Sequence, residues 1–77
     1  MHSKVYYIIL MDVIKVLKER RKKLGITQND LSQMSDISIA TIKDIERRSG
    51  NPSLRTLVKI CDILGMELKC TIKDTVL

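Results

Sequence analysis

The sequence has few of the residues from which enzyme active sites are built. Its only histidine is His2, and its two cysteines, Cys61 and Cys70, do not form a CxxC pair. No serine–histidine–aspartate set, zinc-ligand set or glycine-rich phosphate loop can be assembled. We therefore expect a protein that is not an enzyme, with no cofactor and no metal. Two cysteines are also too few for a disulfide scaffold, and they suit reduced, buried thiols in the cytoplasm.

Long apolar runs are absent as well. The run Val5–Met11 (VYYIILM) has seven residues, whereas a membrane span needs about 20. A secretory signal peptide needs a longer apolar core and a cleavage site with small residues. We therefore predict a soluble, cytoplasmic protein without a membrane partner.

Aromatic side chains are scarce. The 77 residues include two Tyr but no Trp or Phe, so aliphatic and Met side chains must form the core. A domain of this size buries only about 60% of the surface of its unfolded chain, and a second copy would add buried surface.

Fourteen Lys and Arg against nine Asp and Glu leave a net charge of +5. This excess of positive charge favours an anionic partner such as nucleic acid.

What the sequence does contain is a helical pattern in one small domain. Apolar residues recur at helical spacing, and residues that cap helices stand before each group. The predicted helices cover about 12–23, 27–35, 38–47 and 54–64, and their capping residues are Asp12, Thr27, Ser38 and Ser53. Asp30, three residues after Thr27, completes a capping box. The side chains expected to face inward are Val13, Val16, Leu17, Leu24, Leu31, Met34, Ile42, Ile45, Leu57, Val58, Ile60, Cys61 and Leu64.

After Gly65 the apolar period changes from helical spacing to strict alternation. Apolar residues then occupy every second position, at Met66, Leu68, Cys70 and Ile72. This alternation predicts a half-buried strand. A single strand needs a partner for its backbone groups, either Val5–Leu10 of the same chain or the equivalent strand of a second chain.

The chain thus divides into three predicted parts. Residues 1–11 are an N-terminal extension that forms a strand, a dimer contact, an extension of the first helix, or a leader ahead of a natural start at Met11. Residues 12–65 are the helical domain. Residues 66–77 are the C-terminal strand and tail.

Two stretches, LKERRKKLGITQNDLSQMSDISIATIKDIER and NPSLRTLVKICDILG, resemble the helix-turn-helix domain of the Cro and phage-repressor type, the XRE family. The resemblance implies a mainly α, lambda-repressor-like four-helix fold. It also implies a homodimeric transcriptional regulator, a repressor, that binds double-stranded DNA in a sequence-specific manner. The predicted C-terminal strand resembles that of HipB-like antitoxins, which implies an alternative role as an antitoxin with a toxin partner. A protein-interaction module without DNA binding is a further alternative.

The family's geometry implies which residues would touch DNA. Helix 2 lies across the backbone and helix 3 enters the major groove. By position, the implied phosphate contacts are Gln28, Ser38, Thr41, Arg47 and Arg48, and the implied base contacts are Ile39, Ala40, Lys43 and Asp44. The resemblance also implies a salt bridge between Arg21 and Glu46 that fixes the angle of helix 1 to helix 3, the alternative being two solvated surface charges.

The sequence departs from the family pattern at three places. Asp36 stands in the turn where the family usually has Gly, and Asp tolerates left-handed backbone better than most residues. Arg48 stands where Gly usually follows helix 3, so Gly50 becomes the candidate for a left-handed cap. The implied base-contact positions of helix 3 also lack Arg, Asn and Gln, which give the best bidentate base contacts. We therefore expect modest direct readout and an affinity that falls steeply with salt.

Overall fold

The computed structural model describes the backbone of residues 2–70 and the side chains of Leu10 and residues 12–70. This part of the chain contains four α-helices: α1 (His2–Lys23), α2 (Gln28–Ser35), α3 (Ile39–Glu46) and α4 (Leu54–Ile63). The predicted mainly helical architecture is therefore confirmed. Within these residues, no helix has both the length and the apolar character that crossing a membrane requires.

Helix α1 is longer than the sequence pattern predicts. It runs for 22 residues from His2, so Val5–Leu10 is helical and the first helix extends through it. A pairing of Val5–Leu10 with a C-terminal strand of the same chain is therefore wrong. The physical reason is that a helix satisfies its backbone hydrogen bonds within one segment, whereas a strand depends on a neighbour.

The core is one cluster of buried side chains to which all four helices contribute. On α1 it uses Leu10, Ile14 and Leu17, which are spaced four and three residues apart and so form one stripe of the helix. The other buried apolar side chains are Leu31, Ile42, Ile45, Leu57, Ile60, Cys61 and Leu64. The core is aliphatic, as the lack of Trp and Phe predicts.

Some residues expected in the core lie at its edge instead. Val16, Leu24, Met34 and Val58 are 48%, 44%, 57% and 40% exposed, so their predicted inward orientation is wrong. Each helix buries only a narrow stripe, and α1 buries the stripe that contains Ile14.

The predicted N-terminal caps of the three short helices are confirmed. The side chains of Thr27, Ser38 and Ser53 each accept a hydrogen bond from the backbone N–H three residues later. The Asp30 carboxylate in turn accepts a hydrogen bond from the Thr27 N–H at 3.0 Å. This backbone bond, with the Thr27 hydroxyl, holds the pKa of Asp30 below its ordinary value. These caps fix where each short helix begins.

The end of α3 differs from the expectation. Arg48 itself adopts the left-handed conformation, with φ of 62°. Its N–H donates to the Ile45 carbonyl, and the Ser49 N–H donates to the Asp44 carbonyl, both at 3.0 Å. This is the hydrogen-bond pattern of a Schellman cap, so the assignment of the cap to Gly50 is wrong.

The residues after α4 do not form the predicted strand. Met66–Cys70 have no regular secondary structure, and the remainder of the predicted strand, including Ile72, lies outside the described residues. Cys61 is buried but Cys70 is exposed, so only one cysteine is buried as expected. Within one chain the alternation finds no partner, because Val5–Leu10 is helical and offers no pairing edge; pairing with the equivalent strand of a second chain stays a prediction.

Candidate nucleic-acid interface

Helices α2 and α3 are joined by a short turn that hydrogen bonds hold in one geometry. Asp36 is left-handed, with φ of 61°, and its N–H donates to the Ser32 carbonyl at 2.9 Å. The Ser32 hydroxyl donates to the Ile37 carbonyl, and the Ser35 hydroxyl accepts from the Ile37 N–H at 3.2 Å. The two serines thus satisfy backbone groups in the turn, a role that the sequence analysis missed.

Helix α3 has one buried and one exposed face. Ile42, Ile45 and Glu46 are buried and attach the helix to the core. The four residues predicted to read bases are all exposed and lie outside the core: Ile39, Ala40, Lys43 and Asp44. The structure therefore presents them on the free side of α3, and their contact with DNA remains a prediction.

The first turn of α3 contains a hydroxyl pair. The Ser38 hydroxyl accepts from the Thr41 N–H at 3.1 Å and donates to the Thr41 hydroxyl at 2.8 Å. Both residues are exposed. The Thr41 hydroxyl keeps its own hydrogen for a further acceptor, so it can still donate to a phosphate oxygen.

Two charged residues of the predicted interface bind each other. The Arg47 guanidinium donates to the Asp44 carboxylate at 2.5 Å, and both side chains are more than half exposed, at 68% and 56%. Arg48, the neighbouring predicted phosphate contact, is also exposed. Because the Asp44–Arg47 pair faces solvent, its stabilisation of the fold is small, and either group can exchange its partner for DNA.

Gln28 is half-buried and contacts the protein interior. Its side-chain Nε2 donates to Glu46 Oε1 at 3.0 Å. An amide nitrogen carries two hydrogens, so one remains for a phosphate. The contact with Glu46 was not visible in the sequence because the two residues are 18 positions apart. It orients the amide at the first residue of α2, whose backbone N–H lies at the positive end of the helix.

Arg21 and Glu46 form a bidentate ion pair beneath this surface. Arg21 Nε donates to Glu46 Oε2 at 2.7 Å, and Arg21 Nη2 donates to Oε1 at 2.8 Å. Their side chains are only 9% and 7% exposed, so they are not solvated surface charges. Arg21 also donates to the Ile26 carbonyl at 2.7 Å. The pair thus connects α1, the α1–α2 loop and α3.

The Glu46 carboxylate stays charged in this setting. Burial raises the pKa of its carboxyl group, but hydrogen bonds from Arg21 and Gln28, with the charges of Arg21 and Lys18, outweigh burial. The net result is a pKa below the ordinary value of 4.5. At neutral pH, α3 is therefore held to α1 by two full charges.

A second contact of α1 was also missed by the sequence analysis. Arg20 Nε donates to the Leu64 carbonyl at 3.0 Å, at the end of α4. A cation at the C-terminus of a helix also complements the helix dipole. Arg20 and Arg21 are adjacent in sequence, and they hold α1 to α4 and to α3 respectively.

Comparisons with known proteins agree with this geometry. The family described as Helix-turn-helix matches residues 17–69. Over 67 residues the chain is 33% identical to the immunity repressor protein of Bacillus phage phi105, covering 87% of this chain and 46% of the relative. No solved structure gave a significant match.

Two cellular relatives are similar over the same region. An uncharacterised HTH-type transcriptional regulator of Haemophilus influenzae is 39% identical over 56 residues, which are 73% of this chain and 57% of the relative. A protein of Methanococcus maripaludis, provisionally named an HTH-type transcriptional regulatory protein, is 39% identical over 54 residues, 70% of this chain and 17% of the relative. The chain thus spans less than two thirds of the length of each of these relatives. With most of its length matched, the chain belongs to the helix-turn-helix family of the XRE type.

Proposed function

We propose that this protein is a sequence-specific DNA-binding transcriptional regulator, a repressor that inserts α3 into the major groove as a homodimer. The observation that carries the proposal is the division of α3 into two faces. Ile42, Ile45 and Glu46 fix the helix in place, while Ile39, Ala40, Lys43 and Asp44 face outward. A helix held rigidly from one side, with its other side free, has the form that major-groove reading requires.

The hydrogen bonds around α2 and α3 support the proposed phosphate contacts. Gln28 opens α2 and keeps an unused amide hydrogen, and Thr41 keeps an unused hydroxyl hydrogen. Arg47 and Arg48 add positive charge directly after α3, in a chain with a net charge of +5. These groups would position the protein on the backbone, while α3 carries the specificity.

The repressor role and the homodimer have separate support. The phage relative carries the name immunity repressor protein, which favours repression over activation. For the homodimer, the described residues contain an open apolar groove of about 430 Å³ between α1, α4 and the segment after α4. Its lining includes Leu10, Val13, Leu54 and Val58, and a second copy would remove this surface from water.

The antitoxin alternative gains no support from the single chain. It depended in part on a C-terminal strand that pairs across a dimer, and Met66–Cys70 have no regular secondary structure in one chain. Nothing in the described residues specifically favours a toxin partner or an interaction module without DNA binding.

The test is fluorescence-anisotropy binding to the duplex upstream of the protein's own gene, with scrambled duplex as competitor. We expect specific binding that weakens steeply between about 50 and 200 mM salt.

Lys43→Ala should weaken specific binding about ten-fold, since a base contact of this kind contributes about 1–3 kcal/mol. The matched control Lys15→Ala removes the same charge from an exposed position on α1, and it should retain discrimination. Equal binding of scrambled DNA, or no binding at low salt, would contradict the proposal.

A further inference from the structure

The free side of α3 begins with an apolar surface. Ile39 is 36% exposed and Ala40 is exposed, although α3 attaches to the core through Ile42 and Ile45. Isolated apolar residues are common on protein surfaces. These two, however, are consecutive, lie in the first turn of the helix, and occupy the end that enters the groove first in this fold.

The polar groups around this surface are largely engaged within the protein. The Ser38 hydroxyl donates to Thr41, and the Asp44 carboxylate accepts from Arg47. Asp44 would have to share its carboxylate, or give up this exposed ion pair, before it could accept from a cytosine amino group. Among the four residues placed at the base edges, this leaves two apolar side chains and one free cation, Lys43, whose side chain makes no ion pair among the described residues.

We infer that Ile39 and Ala40 recognise thymine through its C5-methyl group, so that each operator half-site carries thymine opposite the start of α3. The inference rests on the proposed function and names the base that this site selects. The thymine methyl is the one apolar group on the base edges of the major groove, and an apolar side chain discriminates there only through it. Lys43 lies one helical turn after Ile39, where it reaches the acceptors of a guanine.

The first experiment changes the DNA and leaves the protein intact. The full chain is used to enrich a binding site from random duplexes, and each thymine of that site is then replaced singly by deoxyuridine. Deoxyuridine keeps the same hydrogen-bonding edge and lacks only the methyl group. We expect at least one position per half-site where the replacement weakens binding about four-fold, the factor that corresponds to burying one methyl group.

The second experiment assigns the effect to α3. In Ile39→Ala, binding to the thymine duplex should weaken, and the deoxyuridine replacement at the sensitive position should have a smaller effect than in the wild type, because only Ala40 then remains to contact the methyl group. The control Val16→Ala shortens an aliphatic side chain that is 48% exposed on α1, and it should retain the full thymine preference. Ile39→Val, a smaller change, provides the same comparison if Ile39→Ala unfolds.

The experiments distinguish a failure of the proposed DNA-binding function from a failure of the proposed thymine recognition. If no duplex is enriched and none binds at low salt, the DNA-binding function itself is wrong. If a site is enriched but every thymine tolerates deoxyuridine, or the site lacks thymine, the regulator stands and the methyl readout is wrong. A thymine preference that is undiminished in Ile39→Ala would also overturn the role assigned to Ile39.

Discussion

At the scale of single residues, the buried pair formed by Arg21 and Glu46 is a contact that should be costly to break. Both side chains are less than a tenth exposed, and two hydrogen bonds join them. Removing one partner of such a buried pair typically costs about 3–5 kcal/mol, because the other charge is left unpaired. A domain of this size has a free energy of unfolding of only about 4–12 kcal/mol, so the loss of one partner would remove a large share of it.

The first prediction concerns Glu46→Gln. We expect it to lower the free energy of unfolding by about 3 kcal/mol near neutral pH. In the folded protein the pKa of Glu46 lies below its ordinary value of 4.5. The stabilisation is therefore fully present above pH 4.5 and is lost as the pH falls through the lowered pKa. The difference between wild type and Glu46→Gln should shrink in that range.

Urea unfolding followed by circular dichroism, from about pH 7 to about pH 3, measures this difference. Comparison with the variant isolates Glu46 from other carboxylates, among them Asp30, whose pKa is also lowered. Asp44→Asn breaks an exposed pair as a control and should cost less than about 1 kcal/mol. A deficit in Glu46→Gln that stays constant across the whole pH range would refute the assignment.

The second prediction concerns the left-handed residue at the end of α3. Arg48 has φ of 62°, a conformation that costs a residue with a Cβ about 1–2 kcal/mol and costs Gly little. Arg48→Gly should therefore raise the free energy of unfolding by about 1 kcal/mol while weakening DNA binding and making its salt dependence shallower. Arg48→Lys should leave both nearly unchanged. Thermal unfolding and anisotropy at two salt concentrations measure these effects, and a destabilised Arg48→Gly would contradict the backbone argument.

At the scale of secondary-structure elements, the features that could be predicted from the sequence are those that depend on residues close together in the chain. The caps at Thr27, Ser38 and Ser53 are contacts over three residues, and all three are present. Contacts between residues far apart in the chain could not be predicted, such as those of Gln28 with Glu46 and of Arg20 with the end of α4. Only the folded packing brings these groups together. For the predicted interface, the sequence was enough to predict α3 and its exposed side chains. It did not predict the ion pair between Asp44 and Arg47.

The errors in the predicted elements have a common cause. The alternation of Met66, Leu68 and Cys70 indicates which side chains would share one face of a strand. It does not show whether a neighbouring strand is present, and a strand needs one to be stable. Likewise, helical spacing allowed Met34 to face the core, but the structure buries Ser35 and leaves Met34 57% exposed. Which of two adjacent stripes is buried depends on the neighbouring helices.

The third prediction tests the capping box of α2. An eight-residue helix is too short to be stable without packing and caps. Thr27→Ala removes the cap and should lower the free energy of unfolding by about 1 kcal/mol, which corresponds to a fall in Tm of about 4–8 °C. Thr27→Ser keeps the hydroxyl and should stay close to wild type. Equal Tm values for the Ala and Ser variants would show that the cap is not a source of stability.

At the scale of the whole molecule, the apolar groove lies away from α3. Its exposed members include Leu54 at 70%, Val58 at 40% and Leu68 at 38%, and it is bounded by α1 and α4. A second copy seated there would leave α3 free on both protomers, and a two-fold axis would present both helices to neighbouring half-sites. The proposed homodimer and the proposed DNA contact are thus compatible.

The fourth prediction tests this face. Val58→Lys places a charge in the groove and should shift the protein from dimer to monomer in sedimentation equilibrium. It should also reduce affinity for a two-half-site duplex more than for a single half-site. Met34→Lys introduces the same charge at an exposed apolar position on α2 and should stay dimeric. A dimeric Val58→Lys, or a wild type that is monomeric at every concentration, would contradict the assignment.

The two faces of α3 have a consequence for how relatives of this protein can diverge. The residues that hold the helix in place are Ile42, Ile45 and Glu46, and none of them is among the four that face outward. Outward-facing positions can therefore be exchanged with little effect on folding. A lineage, or a protein engineer, could change the recognised sequence in a few steps while every intermediate stays folded. The same eight-residue helix thus has an inner side that the fold constrains and an outer side that the fold leaves open to change.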